Sequence, residues 1–104
     1  GGKVERMFED EANRLPHVGW NSVNFQQDHP LFFGLKDNLD FYFVHSYQFK
    51  PRHNESIFAT TNHGRDFTSV VAMKNIIGVQ FHPEKSQSNG LKMLENFCAW
   101  DGQC

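Results

Sequence analysis

The chain has 104 residues, a length that suits one small domain with a single hydrophobic core. With 38% apolar residues, 21% charged residues and 11 phenylalanines, the composition predicts a folded chain whose core is largely phenylalanine. A net charge of -2 without any block of Lys or Arg excludes a typical nucleic-acid binder, and no apolar run reaches the roughly 18 residues of a membrane helix. We therefore expect a cytoplasmic protein that binds neither nucleic acid nor membrane.

The first part of the sequence alternates apolar and polar residues, which predicts two strands. The first strand falls within "KVERMF" at 3–8, and the second within "HVGWNSVNFQ" at 17–26. In the second stretch the apolar phase slips between Trp20 and Val23, so we expect a β-bulge there.

The middle of the sequence predicts a connection, a central strand and a hairpin. "DHPLFFGLKDN" at 28–38 indicates a connection with one short helical turn. "LDFYFVHSYQF" at 39–49 is apolar on both faces, which favours a central strand. "SIFATT" and "FTSVVAM" within 56–73 predict a hairpin around Gly64, and "NIIGVQF" at 75–81 predicts the last strand.

Beyond Ser86 the apolar residues recur at helical spacing, which predicts one long C-terminal helix. Ser86 or Ser88 is the expected N-cap, and Gly102 is the expected C-terminal stop. The stripe expected to be buried is Leu91, Leu94, Phe97 and Cys98, and the residues expected to face water are Lys92, Glu95 and Asn96.

Together these elements predict an α/β fold with a mixed, mainly antiparallel sheet of about six strands and one long C-terminal helix. One helix can cover only one face of such a sheet, so we expect something else to cover the other face. No internal repeat divides the sequence, and we treat residues 1–104 as a single domain.

The stretch "GVQFHPEKS" at 78–86 places a histidine, a proline and a glutamate at the end of the last predicted strand. Residues two apart on a strand project to the same side, so Glu84 can accept a hydrogen bond from the ring of His82. A histidine held in this way presents its other nitrogen as a base to a serine or cysteine nucleophile. Pro83 stiffens the turn, because its φ is fixed and it has no N–H to donate. A solvated turn after a strand is the alternative interpretation.

The context of this stretch resembles a known family. "GVQFHPEKSQ" followed by the helix "NGLKMLENF" is similar to the C-terminal signature of class I glutamine amidotransferases, whose catalytic histidine and glutamate stand in a His-Pro-Glu sequence. "RLPHVGWN" at 14–21, "FYFVHSY" at 41–47 and "ATTNHG" at 59–64 resemble segments of one branch of that family, the glutaminase subunits of imidazole glycerol phosphate synthases. The matches run in family order from Leu15 to Phe97. The resemblance implies the C-terminal half of a three-layer α/β domain.

The resemblance also implies a role for each matched residue. His82 would be the general base and acid, and Glu84 its orienting partner. Ser46 and Tyr47 would lie in the glutamine pocket and act largely through their backbone. A further set would lie on the face that meets the synthase (cyclase) subunit, to which ammonia passes: Pro16, His17, Gly19, Trp20 and Asn21. No cofactor is implied, since hydrolysis of an amide by a triad requires none.

The same residues also have structural interpretations. Trp20 and Tyr47 would then be core aromatics, and His17 and His45 would be hydrogen-bonded structural histidines. A metal site is a further alternative, since six histidines could supply ligands, but the sequence has no HExxH motif and no Cys/His finger spacing. We therefore expect no metal.

The nucleophile of the family has no counterpart in this sequence. The family uses a cysteine on a sharp, glycine-flanked turn between a strand and a helix. Cys98 lies on the expected apolar stripe of the helix, and Cys104 has no glycine-rich turn around it. We therefore expect the chain to be inactive alone, as a fragment, a truncated gene product or one piece of a split enzyme.

Two functions remain open on this basis. The first is a glutaminase portion that lends His82 and Glu84 to a cysteine elsewhere and releases ammonia from glutamine. The second is a truncated, non-catalytic homologue that acts as a self-associating or partner-binding module. In both cases the surface that would pack on the other half is apolar and its strand edges are unpaired, so we predict a homo-oligomer.

Overall fold

The structure, a computed structural model, describes residues 2–102, and Cys104 lies outside the described residues. Residues 2–102 form seven strands, three 3-10 turns and one helix. The strands are β1 (Gly2–Arg6), β2 (His17–Phe25), β3 (Leu39–His45), β4 (Tyr47–Pro51), β5 (Ile57–His63), β6 (Arg65–Met73) and β7 (Ile76–Val79). The 3-10 turns are Pro30–Phe32, Asn54–Ser56 and Pro83–Lys85, and the helix is α1 (Gln87–Ala99). Within the described range no helix has the length and apolarity needed to cross a membrane.

The strands form two sheets in the described part of the chain. The larger sheet has five strands in the order β3-β2-β5-β6-β7, and the smaller one pairs β1 with β4. Each of these pairings is antiparallel. This arrangement, completed by one C-terminal helix, confirms the predicted fold class.

Several predicted elements lie where the sequence places them. The hairpin β5–β6 closes at Gly64, whose φ of +80° lies in the left-handed region that favours glycine. The turn at Pro30–Phe32 is the short helical turn expected in the first long connection. The last strand is also present, but β7 ends at Val79, before the histidine.

The aromatic segment "LDFYFVHSYQF" is not one central strand, and that prediction is wrong. It bends at Ser46 into two strands, of which β3 lies at the edge of the larger sheet and β4 belongs to the smaller sheet. Phe41 and Phe43 are fully buried, whereas Tyr42 and Val44, on the opposite face, keep part of their surface exposed. Apolar residues on both faces suggested a central position, but the described chain covers only one of the two faces.

The bulge expected in β2 is absent from the described strand, which corrects that prediction. β2 pairs with β3 in unbroken register from His17 to Val23. Trp20 and Val23 simply lie on opposite faces, since Trp20 is 47% exposed and Val23 is fully buried. The irregular register lies in β5 instead, between Ile57 and Thr60.

Phenylalanine dominates the core, as the composition predicts. The rings of Phe41 and Phe81 pack with their centroids 4.5 Å apart, and those of Phe25 and Phe32 stack at 4.0 Å. Met93 joins this cluster from α1. The buried phenylalanines are Phe32, Phe41, Phe43, Phe58, Phe67 and Phe81.

The stripe predicted to be buried on α1 is exposed, so this prediction is wrong. The exposed fraction is 59% for Leu91, 40% for Leu94 and 50% for Phe97. Cys98 is exposed as well and does not behave as the small core hydrophobe expected of it. The residues that α1 buries are Gly90, Met93 and Asn96.

Backbone groups of a neighbouring turn explain why the helix directs a polar residue inward. The side-chain amide of Asn96 donates hydrogen bonds to the carbonyl oxygens of Leu31 and Phe33, both at 2.8 Å. Buried carbonyl groups need such donors, so Asn96 satisfies the turn that connects β2 to β3. The apolar stripe of Leu91, Leu94, Phe97 and Cys98, which we call the outer helix face, therefore points away from the core.

Candidate active site

His82 and Glu84 lie in the turn that joins β7 to α1. His82 is extended, with φ of -104° and ψ of 96°, and the 3-10 turn Pro83–Lys85 follows it. The contact expected between the two side chains is present, with 3.3 Å between Nδ1 of His82 and a carboxylate oxygen of Glu84. We expected the two side chains to meet because they lie two positions apart on one strand. The structure corrects this geometry, because β7 has already ended and the 3-10 turn brings the two groups together.

The contact with Glu84 leaves one nitrogen of the His82 ring free. The pKa of Glu84 is held below its usual range, first by its own backbone N–H and then by the His82 ring. An ionised carboxylate can only accept hydrogen bonds, so Nδ1 of His82 donates to it and Nε2 of the neutral ring carries the lone pair. The His82 side chain is 38% exposed, which lets Nε2 act as a base toward an approaching nucleophile.

Ser86 ties the backbone of His82 to strand β3. Its hydroxyl donates to the carbonyl oxygen of His82 at 2.7 Å and accepts from the N–H of Tyr42 at 2.9 Å. The N–H of His82 in turn donates to the carbonyl oxygen of Tyr42 at 2.8 Å. Ser86 occupies the N-cap position that the sequence predicts, but its hydroxyl makes no capping bond. Its role in holding the His-Pro-Glu turn is one that sequence reasoning missed.

Gly90 brings the first turns of α1 against the same segment. A Cβ atom added at Gly90 would collide with the carbonyl oxygen of Pro83, far closer than any real contact. Only glycine allows this approach, so Gly90 fixes the distance between the helix and the His-Pro-Glu turn. The sequence signal was a glycine four residues after the N-cap, where helix propensity alone would favour alanine.

Three further histidines pack together beside the bend at Ser46. The ring centroid of His17 lies 4.3 Å from that of His63 and 4.9 Å from that of His45. Burial, followed by the charges of His63 and His45, lowers the pKa of His17 to about 4. Burial is also the main cause that lowers the pKa of His45. Both rings are therefore neutral at pH 7. Among residues 2–102 no three His, Cys, Asp or Glu side chains are arranged to hold a metal ion.

Ser46 and Tyr47, the residues that the resemblance places in a glutamine pocket, lie where β3 gives way to β4. Ser46 is half-buried and its carbonyl oxygen accepts from the N–H of Met7 at 3.0 Å. Tyr47 is 54% exposed, and its carbonyl oxygen accepts from Nδ1 of His45 at 3.0 Å. Both carbonyls are thus fixed, and the Tyr47 ring is no core aromatic.

The residues predicted to meet a synthase subunit do not share one face. His17 is 4% exposed and lies on the same side of β2 as Gly19 and Asn21. Trp20 is 47% exposed and projects to the opposite side. Pro16 is exposed just before β2 begins. Of these five residues, Pro16 and Trp20 are exposed, whereas His17 is buried and Gly19 and Asn21 are half-buried.

The chain is similar to known proteins over nearly its whole length. The model of the family Glutamine amidotransferase class-I matches residues 1–100. The imidazole glycerol phosphate synthase subunit HisH 1 of Methanococcus maripaludis is 52% identical over 86 residues, which are 83% of this chain and 42% of that protein. The subunit HisH of Caulobacter vibrioides is 44% identical over 100 residues, which are 95% of this chain and 47% of that protein.

A solved structure shares the fold. It is a protein from Thermoplasma acidophilum described as a GMP synthase subunit, and it matches with a TM-score of 0.72 at 19% identity. The match covers 95% of this chain and 48% of that one, and at such low identity it concerns the fold alone. The chain therefore spans about half the length of the curated relatives it matches.

Proposed function

Because this chain belongs to the class I glutamine amidotransferases, we propose that it carries the histidine and glutamate of a cysteine-dependent glutaminase site. The observation that carries the proposal is the 3.3 Å contact between His82 and Glu84 in a turn that hydrogen bonds hold to β3. The nucleophilic cysteine comes from outside these 104 residues. The family and its His-Pro-Glu sequence support this assignment.

The proposed reaction hydrolyses the side-chain amide of glutamine. Nε2 of His82 removes the proton of the cysteine thiol, and the thiolate attacks the amide carbon. The C–N bond breaks as His82 returns the proton to the leaving nitrogen, which departs as ammonia and leaves a thioester. Water, deprotonated by the same nitrogen, then cleaves the thioester to glutamate and restores the thiol. Glu84 holds Nδ1 protonated throughout, so Nε2 stays the reactive atom.

The proposed partner is the synthase (cyclase) subunit that uses the ammonia. This follows from the relatives, which are named as subunits of imidazole glycerol phosphate synthase. Trp20 and Val18 support a contact there, since both are exposed on one side of β2. We propose the same region of contact for Pro16, His17, Gly19 and Asn21. His17 is buried and would contribute by supporting the surface residues rather than by touching the partner. A free, exposed Cys98 fits the cytoplasm, where thiols stay reduced.

The outer helix face supports the proposal that another part of the amidotransferase domain covers α1. Leu91, Leu94 and Phe97 lie three residues apart on one side of the helix and are each at least 40% exposed. An apolar stripe of this kind is buried by a partner element more often than it is left in water. Since the chain spans about half of its relatives, the remaining half of the domain is the occupant we propose.

The outer helix face also favours a second candidate function, a self-associating module without catalysis. Without the rest of the domain, two copies of the chain would bury this stripe against each other, giving a homo-oligomer. The two candidates differ in what they require. The first needs Nε2 of His82, whereas the second needs only Leu91, Leu94 and Phe97.

Ammonia release from glutamine distinguishes the two candidates. We would measure it for this chain alone and mixed with the part of the Methanococcus maripaludis relative that this chain does not match. The mixture should release ammonia and the chain alone should not, and His82→Ala should lower the rate by about 1000-fold. His53→Ala, at an exposed histidine before β5, is the matched control and should leave the rate unchanged.

Two results would favour the self-associating module instead. The first is a mixture in which the two parts associate, by light scattering, but release no ammonia. The second is an oligomer of the chain alone that persists when the other part is added and that Leu94→Lys converts to a monomer.

A further inference from the structure

We infer that His17 and His45 are positioning residues of the proposed glutamine pocket, because a directional chain of hydrogen bonds runs from Asn21 through both rings to the Tyr47 carbonyl. The inference rests on the proposed function, since it takes Ser46 and Tyr47 as the pocket. The chain has three links, His45 to Tyr47 at 3.0 Å, His17 to His45 at 2.8 Å and Asn21 to His17 at 3.1 Å.

The Tyr47 end of the chain fixes the proton on each ring. A backbone carbonyl can only accept, so Nδ1 of His45 is protonated and donates to Tyr47. The neutral ring then has a lone pair on Nε2, which must accept from Nδ1–H of His17. Nε2 of His17 is left as an acceptor for the amide of Asn21. Both rings are therefore Nδ1–H tautomers.

The Asn21 end gives the same answer independently. The side-chain oxygen of Asn21 accepts from the N–H of Ser22 at 2.8 Å, and its nitrogen donates to the carbonyl oxygen of Asn62 at 2.7 Å. These two backbone groups fix the orientation of the amide, which cannot be flipped without losing both bonds. The second N–H of the same nitrogen is then the donor to His17. Because both ends require the same direction, the network allows one arrangement of protons.

An added proton on either ring would break the chain. A proton on Nε2 of His17 would face the amide N–H of Asn21, and a proton on Nε2 of His45 would face Nδ1–H of His17, which sets donor against donor. The titratable groups nearest the two rings are His63, packed on His17, and His82, and a proton on either would disfavour a second positive charge on His45. The lowered pKa values of His17 and His45 agree with rings that stay neutral at pH 7.

The chain acts on the pocket through the direction of peptide groups. The C=O and N–H of one peptide point in opposite directions, so fixing a carbonyl also fixes the adjacent N–H. The carbonyl of Ser46 is held by Met7 and that of Tyr47 by His45. Two consecutive peptide groups are thus oriented before any ligand binds, which favours binding through the backbone. His45 holds the pocket directly, and His17 holds His45.

The tautomers provide the first test. We would record long-range proton–nitrogen NMR spectra of the ring nitrogens at pH 7 on the unsubstituted chain mixed with the unmatched part of the Methanococcus maripaludis relative. His17 and His45 should each carry the proton on Nδ1. His63 is the internal control with the opposite tautomer, since its Nε2 donates to the carbonyl oxygen of Arg14 at 2.8 Å. A proton on Nε2 of either His17 or His45 would overturn the inference.

Glutamine kinetics of the same mixture provide the second test. His45→Phe keeps a ring of similar size but removes the donor, and His45→Asn keeps a donor near the Nδ1 position. His45→Phe should raise KM for glutamine about tenfold with less than about a twofold change in kcat, and His45→Asn should recover most of the loss. His17→Phe, one link further away, should raise KM by a smaller factor. The matched control is His53→Phe, which should leave KM unchanged.

The kinetic results separate this inference from the proposed function. An equal fall in kcat for His45→Phe and His45→Asn, with KM unchanged, would overturn the positioning role while the glutaminase assignment stands. Absence of ammonia release from the unsubstituted mixture would overturn the glutaminase assignment. The tautomers can be read in either case and decide whether the hydrogen-bond chain exists, because they require neither activity nor a substituted protein.

Discussion

Two histidine sites in this fold are held in opposite ways. His82 is fixed through its backbone, by Tyr42 and Ser86, and its ring has one side-chain partner and keeps 38% of its surface exposed. His17 and His45 are fixed through their rings, whose four nitrogens all take part in hydrogen bonds. The fold can therefore hold a histidine by its backbone, with one ring nitrogen unengaged among the described residues, or use both ring nitrogens to make the residue a rigid connector.

Four changes would break or sharpen this contrast. Changes at Gly90, Ser86 and Glu84 affect the support of His82. A change at His17 affects the site formed by His17 and His45, which we call the ring-held site. Each change should disturb one site and spare the other, because the described contacts of the two supports share no residue.

Gly90→Ala should have the largest effect. The new methyl group would collide with the carbonyl oxygen of Pro83, and neither the helix nor the turn can yield without losing backbone hydrogen bonds. We expect a loss of about 3 kcal/mol in the free energy of unfolding, although alanine is the better helix former. Chemical denaturation measures the loss, and Glu95→Ala, at an exposed position of α1, is the matched control. A stability equal to that of the control would contradict the close approach.

The next largest effect should be a change of stability with pH, which arises from the titration of His17 in the ring-held site. The pKa of His17 is about 4 in the folded chain against an ordinary value of 6.5, so between these pH values the unfolded chain binds more protons. The free energy of unfolding should therefore rise with pH across this window, and up to about 3 kcal/mol should be lost as the pH falls from 6.5 to 4.

His17→Phe should flatten this pH profile, because it removes the titrating group and keeps the aromatic packing on Phe43. The measurement is denaturant unfolding at a series of pH values, with His53→Phe as the exposed control. His45, whose pKa is lowered in the same direction, will keep part of the slope. Identical profiles for the unsubstituted chain and His17→Phe would show that His17 does not titrate as the structure requires.

Ser86→Ala should lower the free energy of unfolding by less, about 2 kcal/mol. Ser86 is 1% exposed, and removal of its hydroxyl leaves the partly buried N–H of Tyr42 without its partner. The carbonyl oxygen of His82 keeps one donor, the N–H of Lys85, which limits the loss. Ser88→Ala, at an exposed serine on the same helical turn, provides the control. If Ser86→Ala and Ser88→Ala lower the free energy of unfolding by the same small amount, the hydroxyl of Ser86 acts as an ordinary helix-terminal group.

The sequence predicted those parts of the fold and site that depend on neighbouring residues. Alternation and Gly64 predicted the β5–β6 hairpin, and the His-Pro-Glu sequence predicted the contact between His82 and Glu84. The fold class followed from the same alternation and from the helical spacing near the C-terminus. Each of these signals lies within a few residues of the structure it specifies.

The failures come from contacts between distant segments. Asn96 is buried because it serves carbonyls of residues more than 60 positions earlier, and no local pattern reveals that need. The sequence predicted a central position for β3, which lies at the sheet edge, because apolar residues alone do not reveal which face of a strand is covered. The pairing of His17 with His45 requires the register between β2 and β3, which the sequence alone does not specify.

Glu84→Gln should have the smallest effect and separates orientation from charge at His82. The amide oxygen introduced by this change can still accept from Nδ1–H, so the tautomer of His82 is kept, but the negative charge that stabilises a protonated ring is lost. We expect ammonia release by the mixture to fall about tenfold, with the free energy of unfolding unchanged, since Glu84 is 60% exposed. Glu84→Ala removes the acceptor as well and should lower the rate further. Equal rates for the two variants would mean that charge alone matters, and that the His82 backbone contacts already orient the ring.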